Sequence, residues 1–139
     1  MDESKRKQIV DAFAALPDGC KYAVADASKL NTFELAFGPI PSDFRWFLMH
    51  CGGGTIGCEW VDGIDELADT HGKFNAESQI ENGWTMHGVF VIGWDGSGNP
   101  FGIETTTGKI LVEDHNFGGI HEMAPSFEAF LERGLLTKQ

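Results

Sequence analysis

The side chains of this chain that are best placed to do chemistry are carboxylates crowded into one short stretch. Residues 59–81 carry seven acidic side chains against a single basic one, and Trp60 and Trp84 lie near the two ends of the stretch. Four of the acids are spaced to share one face of a predicted helix, where their mutual repulsion costs stability that a cationic partner would relieve. We therefore predict a docking rim for a basic protein, with these members: Glu59, Trp60, Asp62, Asp65, Glu66 and Asp69, followed by Glu113 and Asp114. A solvated helix face with core tryptophans is the alternative interpretation.

Residue types that commonly perform catalysis or bind metals are present, but their spacing supports neither role. The five histidines include no His-x-x-x-His or His-Glu-x-x-His pair, so we predict no metal site and no cofactor. His115 is interpreted as a turn residue that hydrogen-bonds the backbone of its glycine-rich neighbours. Cys51 falls on the apolar face of a predicted helix and Cys58 within a predicted strand, so neither resembles an activated nucleophile. The chain also lacks a Gly-x-Ser-x-Gly turn, and we expect it not to be an enzyme.

Two loops match ligand-binding loops only in part. Residues 52–54 are three consecutive glycines, but they follow a predicted helix and lack the Lys-Ser/Thr pair of a phosphate loop. Residues 95–99 alternate oxygen-bearing side chains like a calcium loop, yet Pro100 and Thr106 occupy the positions where that loop needs glycine and glutamate. We interpret the glycines as a helix terminator and residues 95–99 as a hairpin turn.

The charge of the chain restricts its partners. The formal net charge is −11, and residues 46–132 hold two basic side chains against fourteen acidic ones. Nucleic acid is a poor partner, because phosphate contacts need clustered Lys and Arg and the only cluster is at residues 5–7. A basic protein is the better candidate, with acidity for solubility alone as the alternative.

Targeting and redox signals are also weak in this sequence. No stretch approaches the roughly 18 consecutive apolar residues of a membrane span, and the N-terminus lacks the apolar core of a signal peptide. The three cysteines are an odd number without Cys-x-x-Cys spacing, which favours reduced thiols over a disulfide framework. We expect a cytoplasmic protein without a membrane partner.

Residues 87–113 carry the strongest secondary-structure signal and predict a β-meander. Three apolar runs are separated by two glycine-containing turns, at residues 95–100 and 107–109. Helical periodicity before and after this segment predicts amphipathic helices that cover the sheet. The sequence therefore predicts one α+β domain over residues 1–139, with a central, mainly antiparallel sheet flanked by N-terminal and C-terminal helices.

Further elements are predicted outside the meander from capping residues and from glycine and proline stops. The first is a helix over 3–16. A second helix carries Leu30, Phe33, Leu35 and Phe37 and is capped by Ser28 or Asn31, and a third helix has Ser42 as its N-cap. A strand over 55–60 and a helix over 63–80 follow, and a last helix begins at Pro125 or Ser126, with Gly134 past its end. Residues 114–119 are predicted to form a polar turn too rich in glycine for regular structure.

Several short motifs follow one another along most of the chain, from about Phe33 to Leu131. They are Phe33-Glu34, Ile40-Pro41-x-Asp43-Phe44-x-x-Phe47-Leu48, Ile92-Gly93-x-Asp95-Gly96-x-Gly98-Asn99-Pro100-Phe101, Gly108-Lys109-Ile110, Asp114-His115 and Ser126-Phe127-x-x-Phe130-Leu131. In this order they resemble the SUKH superfamily, also called the Smi/Knr family. The chain departs from that family at residues 51–54, Cys-Gly-Gly-Gly, where Asn-Gly-Gly is frequent.

The resemblance implies an α+β domain without catalytic residues. Bacterial relatives are mostly immunity proteins that bind and neutralise a cognate toxin, commonly a nuclease, and fungal relatives regulate cell-wall synthesis through protein contacts. Together with the negative charge of the chain, the resemblance predicts an intracellular immunity protein that neutralises a basic toxin domain, such as a nuclease, through its acidic surface. The alternative is a small-molecule-sensing or regulatory domain that uses a pocket near the Asp114-His115 loop.

Overall fold

The computed structural model describes residues 1–137, which form an α+β domain with helices at both ends. The helices are α1 (Glu3–Ala14), α2 (Ala27–Phe37), α3 (Ser42–His50), α4 (Ile64–Ser78) and α5 (Phe127–Leu135), and the strands are β1 (Gly54–Ile56), β2 (Glu59–Val61), β3 (Val89–Trp94), β4 (Pro100–Glu104), β5 (Ile110–Glu113) and β6 (Ile120–Ala124). A 3-10 turn over Asp18–Cys20 links α1 to the next segment. Within the described range, no helix has both the length and the apolar character needed to cross a membrane.

The central sheet has four antiparallel strands in the order β3-β4-β5-β6, so the predicted meander is confirmed. A β-bulge interrupts the β3–β4 register between Val91 and Gly93. Gly102 faces the same region from β4, and a Cβ on it would collide with the carbonyl oxygen of Phe90. The backbones of β3 and β4 are therefore closely packed at this point, and there is no space for a side chain at residue 102.

The fourth strand, β6, was not predicted. It follows the glycine-rich turn at residues 114–119, and its first three residues, Ile120 to Glu122, are exposed. Because β6 is an edge strand with little buried surface, it lacks the alternation of apolar and polar residues that identifies a half-buried strand. Pairing with β5, and not its own composition, orders this segment.

The predicted strand over residues 55–60 is wrong in detail, because two short strands occupy that segment. β1 and β2 form an antiparallel hairpin whose turn is Gly57-Cys58, and Gly57 has a φ of 64°. Cys58 therefore lies in an exposed turn and not within a strand. The preceding glycines at 52–54 all have positive φ and leave no space for Cβ atoms beside the backbone of residues 20–23 and 62–63. They serve close packing as well as ending α3.

Several helix boundaries also differ from the predictions. The N-cap of α2 is Asp26, whose carboxylate accepts the backbone N–H of Lys29 at 2.8 Å, so Ser28 and Asn31 lie inside the helix. Pro41, not Ser42, precedes α3, without a side-chain cap. Leu35, one of the apolar residues carried by α2, is 90% exposed.

The last helix begins as predicted, with Ser126 as its N-cap, but it does not end before Gly134. Gly134 lies inside α5 and packs directly against Ile56 of the β1–β2 hairpin. The sequence predicts Gly134 as a stop signal, but in the structure the glycine allows close contact between a helix and a strand.

The core lies between the sheet and the helices, and aromatic side chains dominate it. Phe44 of α3 is fully buried and meets Phe90 of β3 and Phe127 of α5 at ring-centroid distances of 6.0 and 5.6 Å. Edge-to-face geometry at these distances adds to the stabilisation from burial. This core holds α4, α5 and the β1–β2 hairpin in fixed positions around the sheet.

A candidate acidic binding face

An aromatic pair lies at the centre of the candidate face. Trp60 of β2 is 44% exposed, and its ring meets Tyr22 in a T-shaped arrangement with centroids 6.0 Å apart. Burial raises the pKa of Tyr22, and the negative charges of Glu66 and Asp62 raise it further, which places these carboxylates close to the phenol. Tyr22 was missed in the sequence because about forty residues separate it from its neighbours here, and no local pattern marks it.

The acids of α4 extend the face along the first half of the helix. Asp65 and Asp69 are exposed one turn apart, and Glu66 is half-buried between them and Tyr22. Asp65 accepts Lys29 Nζ of α2 at 2.9 Å, an exposed ion pair that contributes little to stability. The Lys29–Asp65 pair is the only one of the described ion pairs that involves a residue of the predicted docking rim.

Asp62 departs from the prediction, because it precedes α4 and is half-buried. Its carboxylate accepts a hydrogen bond from the Thr70 hydroxyl, which in turn accepts the indole N–H of Trp94 at 3.3 Å. The pKa of Asp62 is raised to about 6, chiefly by burial and also by the negative charge of Glu66, against the opposing effect of the hydrogen bond from Thr70. A buried anion with a raised pKa lowers the stability of the folded protein whenever it is ionised.

This raised pKa predicts a pH-dependent effect of the substitution Asp62→Asn. The folded state holds the Asp62 proton more tightly than the unfolded state does. The stability that the protonated carboxyl contributes is therefore fully present below about pH 4 and is lost as pH rises through about 6. The amide is neutral and can still accept the bond from Thr70. We expect Asp62→Asn to raise the free energy of unfolding by about 2 kcal/mol at about pH 7 and to leave it nearly unchanged at about pH 4.

Urea denaturation at the two pH values measures this difference, with Asp11→Asn on the exposed face of α1 as the control. A gain in stability that is equal at both pH values, or a loss at neutral pH, would contradict the assigned burial of Asp62.

Glu59 is the first residue of β2 and precedes Trp60. Burial raises the pKa of its carboxyl group, and the nearby charge of Asp95 raises it further. Its Oε2 atom is buried and accepts no hydrogen bond from the described residues. Asp95 itself forms the predicted hairpin turn, where Oδ1 accepts the backbone N–H groups of Ser97 and Asn99, both at 2.9 Å. Among the described residues, Glu59 Oε2 is thus a buried acceptor without a donor, on the strand residue that precedes Trp60.

The docking prediction requires Glu113 to be on the surface, but the structure buries it. It is 8% exposed at the end of β5, and its two oxygens accept the backbone N–H groups of Thr85 and Met86 and the Thr85 hydroxyl, at 2.8 to 3.0 Å. The carboxylate therefore anchors the segment that leads into β3. Thr85 is 28 residues away in sequence, so no local pattern identified this role.

Asp114 and His115 border a pocket of about 470 Å³ at the far end of α4. Asp114 Oδ1 accepts the backbone N–H groups of Asn116 and Phe117 at 2.8 and 3.1 Å, and these bonds lower the pKa of its carboxyl group. His115 contacts the side chain of Asn99 through both its ring Nδ1 and its backbone N–H, rather than the backbone of its own turn. The predicted polar turn is present, and the histidine ties it to the β3–β4 hairpin.

The other residues considered for chemistry are dispersed. Within residues 1–137, no three His, Cys, Asp or Glu side chains are grouped in a way that could hold a metal ion. Burial raises the pKa of the Cys51 thiol to about 12, so this side chain is a protonated, apolar core residue and not a nucleophile. His71 packs among Phe33, Phe37 and Phe90, and burial lowers its pKa.

The fold defines the class of the protein, an α+β domain with a four-stranded antiparallel sheet, a small two-stranded hairpin and helices at both ends. The model of the SMI1 / KNR4 family (SUKH-1) matches residues 25–133, and the chain therefore belongs to this family. The motifs in the sequence indicated the same family, and that prediction is confirmed. The family is known in general from toxin immunity, and its members are generally non-catalytic. No curated protein matches the chain.

Proposed function

We propose that this protein is a cytoplasmic immunity protein, without enzymatic activity, that binds a basic toxin domain through the acidic face around Trp60 and α4. The partner's chemistry is that of a polycation, as in a nuclease whose substrate cleft binds phosphates. The acidic face would occupy this cleft in place of the nucleic acid. Blocking of this kind needs no bond-breaking machinery in the immunity protein.

The observation that carries the proposal is the excess of uncompensated carboxylates beside an exposed aromatic ring. Glu59 has a buried oxygen without a donor, Asp62 is ionised at a cost, and Asp69 is exposed beside Asp65 on α4. These features lower the stability of the free protein, and a cationic partner would relieve them. Trp60, 44% exposed at the centre, has the size and position of an interface anchor.

Two of the residues first considered for the rim take other roles in the proposal. Glu113 is an internal anchor, and Asp114 borders the separate pocket at the end of α4. The proposed rim therefore consists of Glu59, Trp60, Asp62, Asp65, Glu66 and Asp69. Tyr22 is added as the residue that orients Trp60.

The second candidate function is small-molecule sensing, and the pocket beside Asp114 and His115 is the observation that favours it. Its volume of about 470 Å³ is within the range of ligand sites. A sensor would gain thermal stability from a metabolite, whereas an immunity protein would gain it from a basic protein domain, because any ligand that binds only the folded state stabilises it.

Thermal unfolding in the presence of each candidate partner tests the proposal. We expect a clear rise in melting temperature with the basic C-terminal domain of a toxin encoded beside this gene, together with protection of growth when the two are co-expressed. A metabolite panel and divalent cations serve as controls. Stabilisation by a metabolite, with neither stabilisation nor protection from the toxin domain, would contradict the immunity function and favour the sensor.

A further inference from the structure

The pocket at the end of α4 combines aromatic walls with carboxylates. Its lining includes the Trp84 ring, His115, Glu77, Asp114 and the exposed side chain of Ile80. The ring centroids of Trp84 and His115 are 5.6 Å apart, in a T-shaped arrangement. Among residues 1–137, neither Lys nor Arg lines this pocket.

The position of Trp84 is fixed from several directions. Its indole N–H donates to Glu77 Oε2 at 2.8 Å, and the centroid of its ring lies 6.0 Å from the centroid of the Trp94 ring. The next residue, Thr85, is held by the buried carboxylate of Glu113. The aromatic wall is therefore preorganised, which lowers the entropic cost of binding a ligand against it.

The negative charge of the pocket is not balanced by ion pairs within the part of the chain that the structure describes. Glu77, Glu113 and Asp114 supply three carboxylates, and none of them forms an ion pair with a basic side chain among residues 1–137. A short distance away, Lys73 Nζ lies 4.5 Å from the centroid of the Trp94 ring, so a cation already rests on the neighbouring indole. Aromatic rings and carboxylates together are suited to an organic cation with an apolar stem.

We infer that this pocket receives an arginine side chain of the protein partner. The planar guanidinium would lie against the aromatic wall and pair with the carboxylates of Glu77 and Asp114, and its methylene stem would cover Ile80. This inference rests on the proposed function for the source of the arginine. It adds a second contact at the opposite end of α4 from Trp60.

Two isosteric substitutions test the charge without removing the local structure. In Glu77→Gln the amide oxygen can still accept the Trp84 indole N–H, and in Asp114→Asn it can still accept the backbone N–H groups of residues 116 and 117. The matched control, Glu3→Gln with Asp11→Asn, removes two charges from α1. The probes are the N-acetyl amides of arginine and of citrulline, its uncharged isostere, with agmatine as a free small cation.

The readout is the indole N–H signal of Trp84 in an ¹H–¹⁵N spectrum, assigned by its loss in Trp84→Phe. We expect the arginine probe to shift this signal with a dissociation constant on the order of 1–10 mM, and the double variant to weaken binding about tenfold. Citrulline should give no saturable shift, and the α1 control should behave as the wild type. Equal shifts from citrulline, or unchanged binding in the double variant, would overturn the inference.

The same variants separate this inference from the proposed function. If the toxin domain stabilises the wild type and the double variant binds it about tenfold more weakly, both proposals are supported. If it binds the double variant as tightly as the wild type, the pocket does not receive the partner, although the immunity function stands. Agmatine binding about a thousandfold tighter than the arginine probe would instead assign the pocket to a free small molecule.

Discussion

Reversing two charges on α4 is expected to weaken binding of the basic toxin domain about thirtyfold, because each reversal replaces an attraction with a repulsion at the rim of the interface. The variant is Asp65→Lys with Asp69→Lys, both on the exposed side of α4. Asp65 also loses its ion pair with Lys29, which is solvent-exposed and contributes little to folding. Titration calorimetry with the toxin domain measures the change in affinity.

The control for this variant carries the same change in net charge elsewhere. Glu3→Lys with Asp11→Lys places two lysines on α1, which packs against α5. Because the total charge of the two variants is equal, any difference between them reports the position of the charges and not the overall field. Equal losses of affinity in both variants would remove α4 from the interface.

Removing the buried carboxylate at residue 113 is expected to cost about 3 kcal/mol of folding stability, since Glu113→Ala leaves the backbone N–H groups of Thr85 and Met86 without their acceptor. Because the segment before β3 loses its anchor, amide exchange at residues 84–86 should also accelerate. Urea denaturation gives the free energy, and hydrogen exchange gives the local effect.

The matched control for Glu113→Ala is Glu122→Ala on the neighbouring strand. Glu122 is exposed and pairs with Lys109 at 3.4 Å, so its loss should change stability by no more than about 0.5 kcal/mol. If the two variants were equally stable, Glu113 would be no more than a surface acid, and the role assigned to it in holding Trp84 would be wrong.

Local sequence patterns were sufficient to predict the centre of the fold. The apolar runs and glycine turns of residues 87–113 encode strands and reversals directly, and β3, β4 and β5 lie where they were expected. The helical spacing of the apolar residues after residue 63 likewise predicts α4, which begins at Ile64. In both cases the signal is contained in a window of about fifteen residues, over which hydrophobic periodicity is informative.

Features that depend on pairing across the chain were not predicted. β6 is ordered by its register with β5, and Tyr22 reaches Trp60 only through the packing of the β1–β2 hairpin. Residue type alone predicts that acidic side chains are exposed, because buried carboxylates are uncommon. Glu113 and Asp62 are exceptions whose partners lie 28 and 8 residues away, and the family motifs carried no information about either partner.

The association rate constant of the wild-type protein and the toxin domain, measured at low and moderate salt, tests the central claim most directly. Between about 0.01 and about 0.15 M NaCl the Debye length falls from roughly 30 to roughly 8 Å, which screens steering by exposed charges. The account predicts a rate constant that falls by at least about tenfold over this range, with a much smaller fall for the α4 charge-reversal variant. A rate constant that does not change with salt, or that falls equally in both proteins, would contradict an acidic docking face on α4.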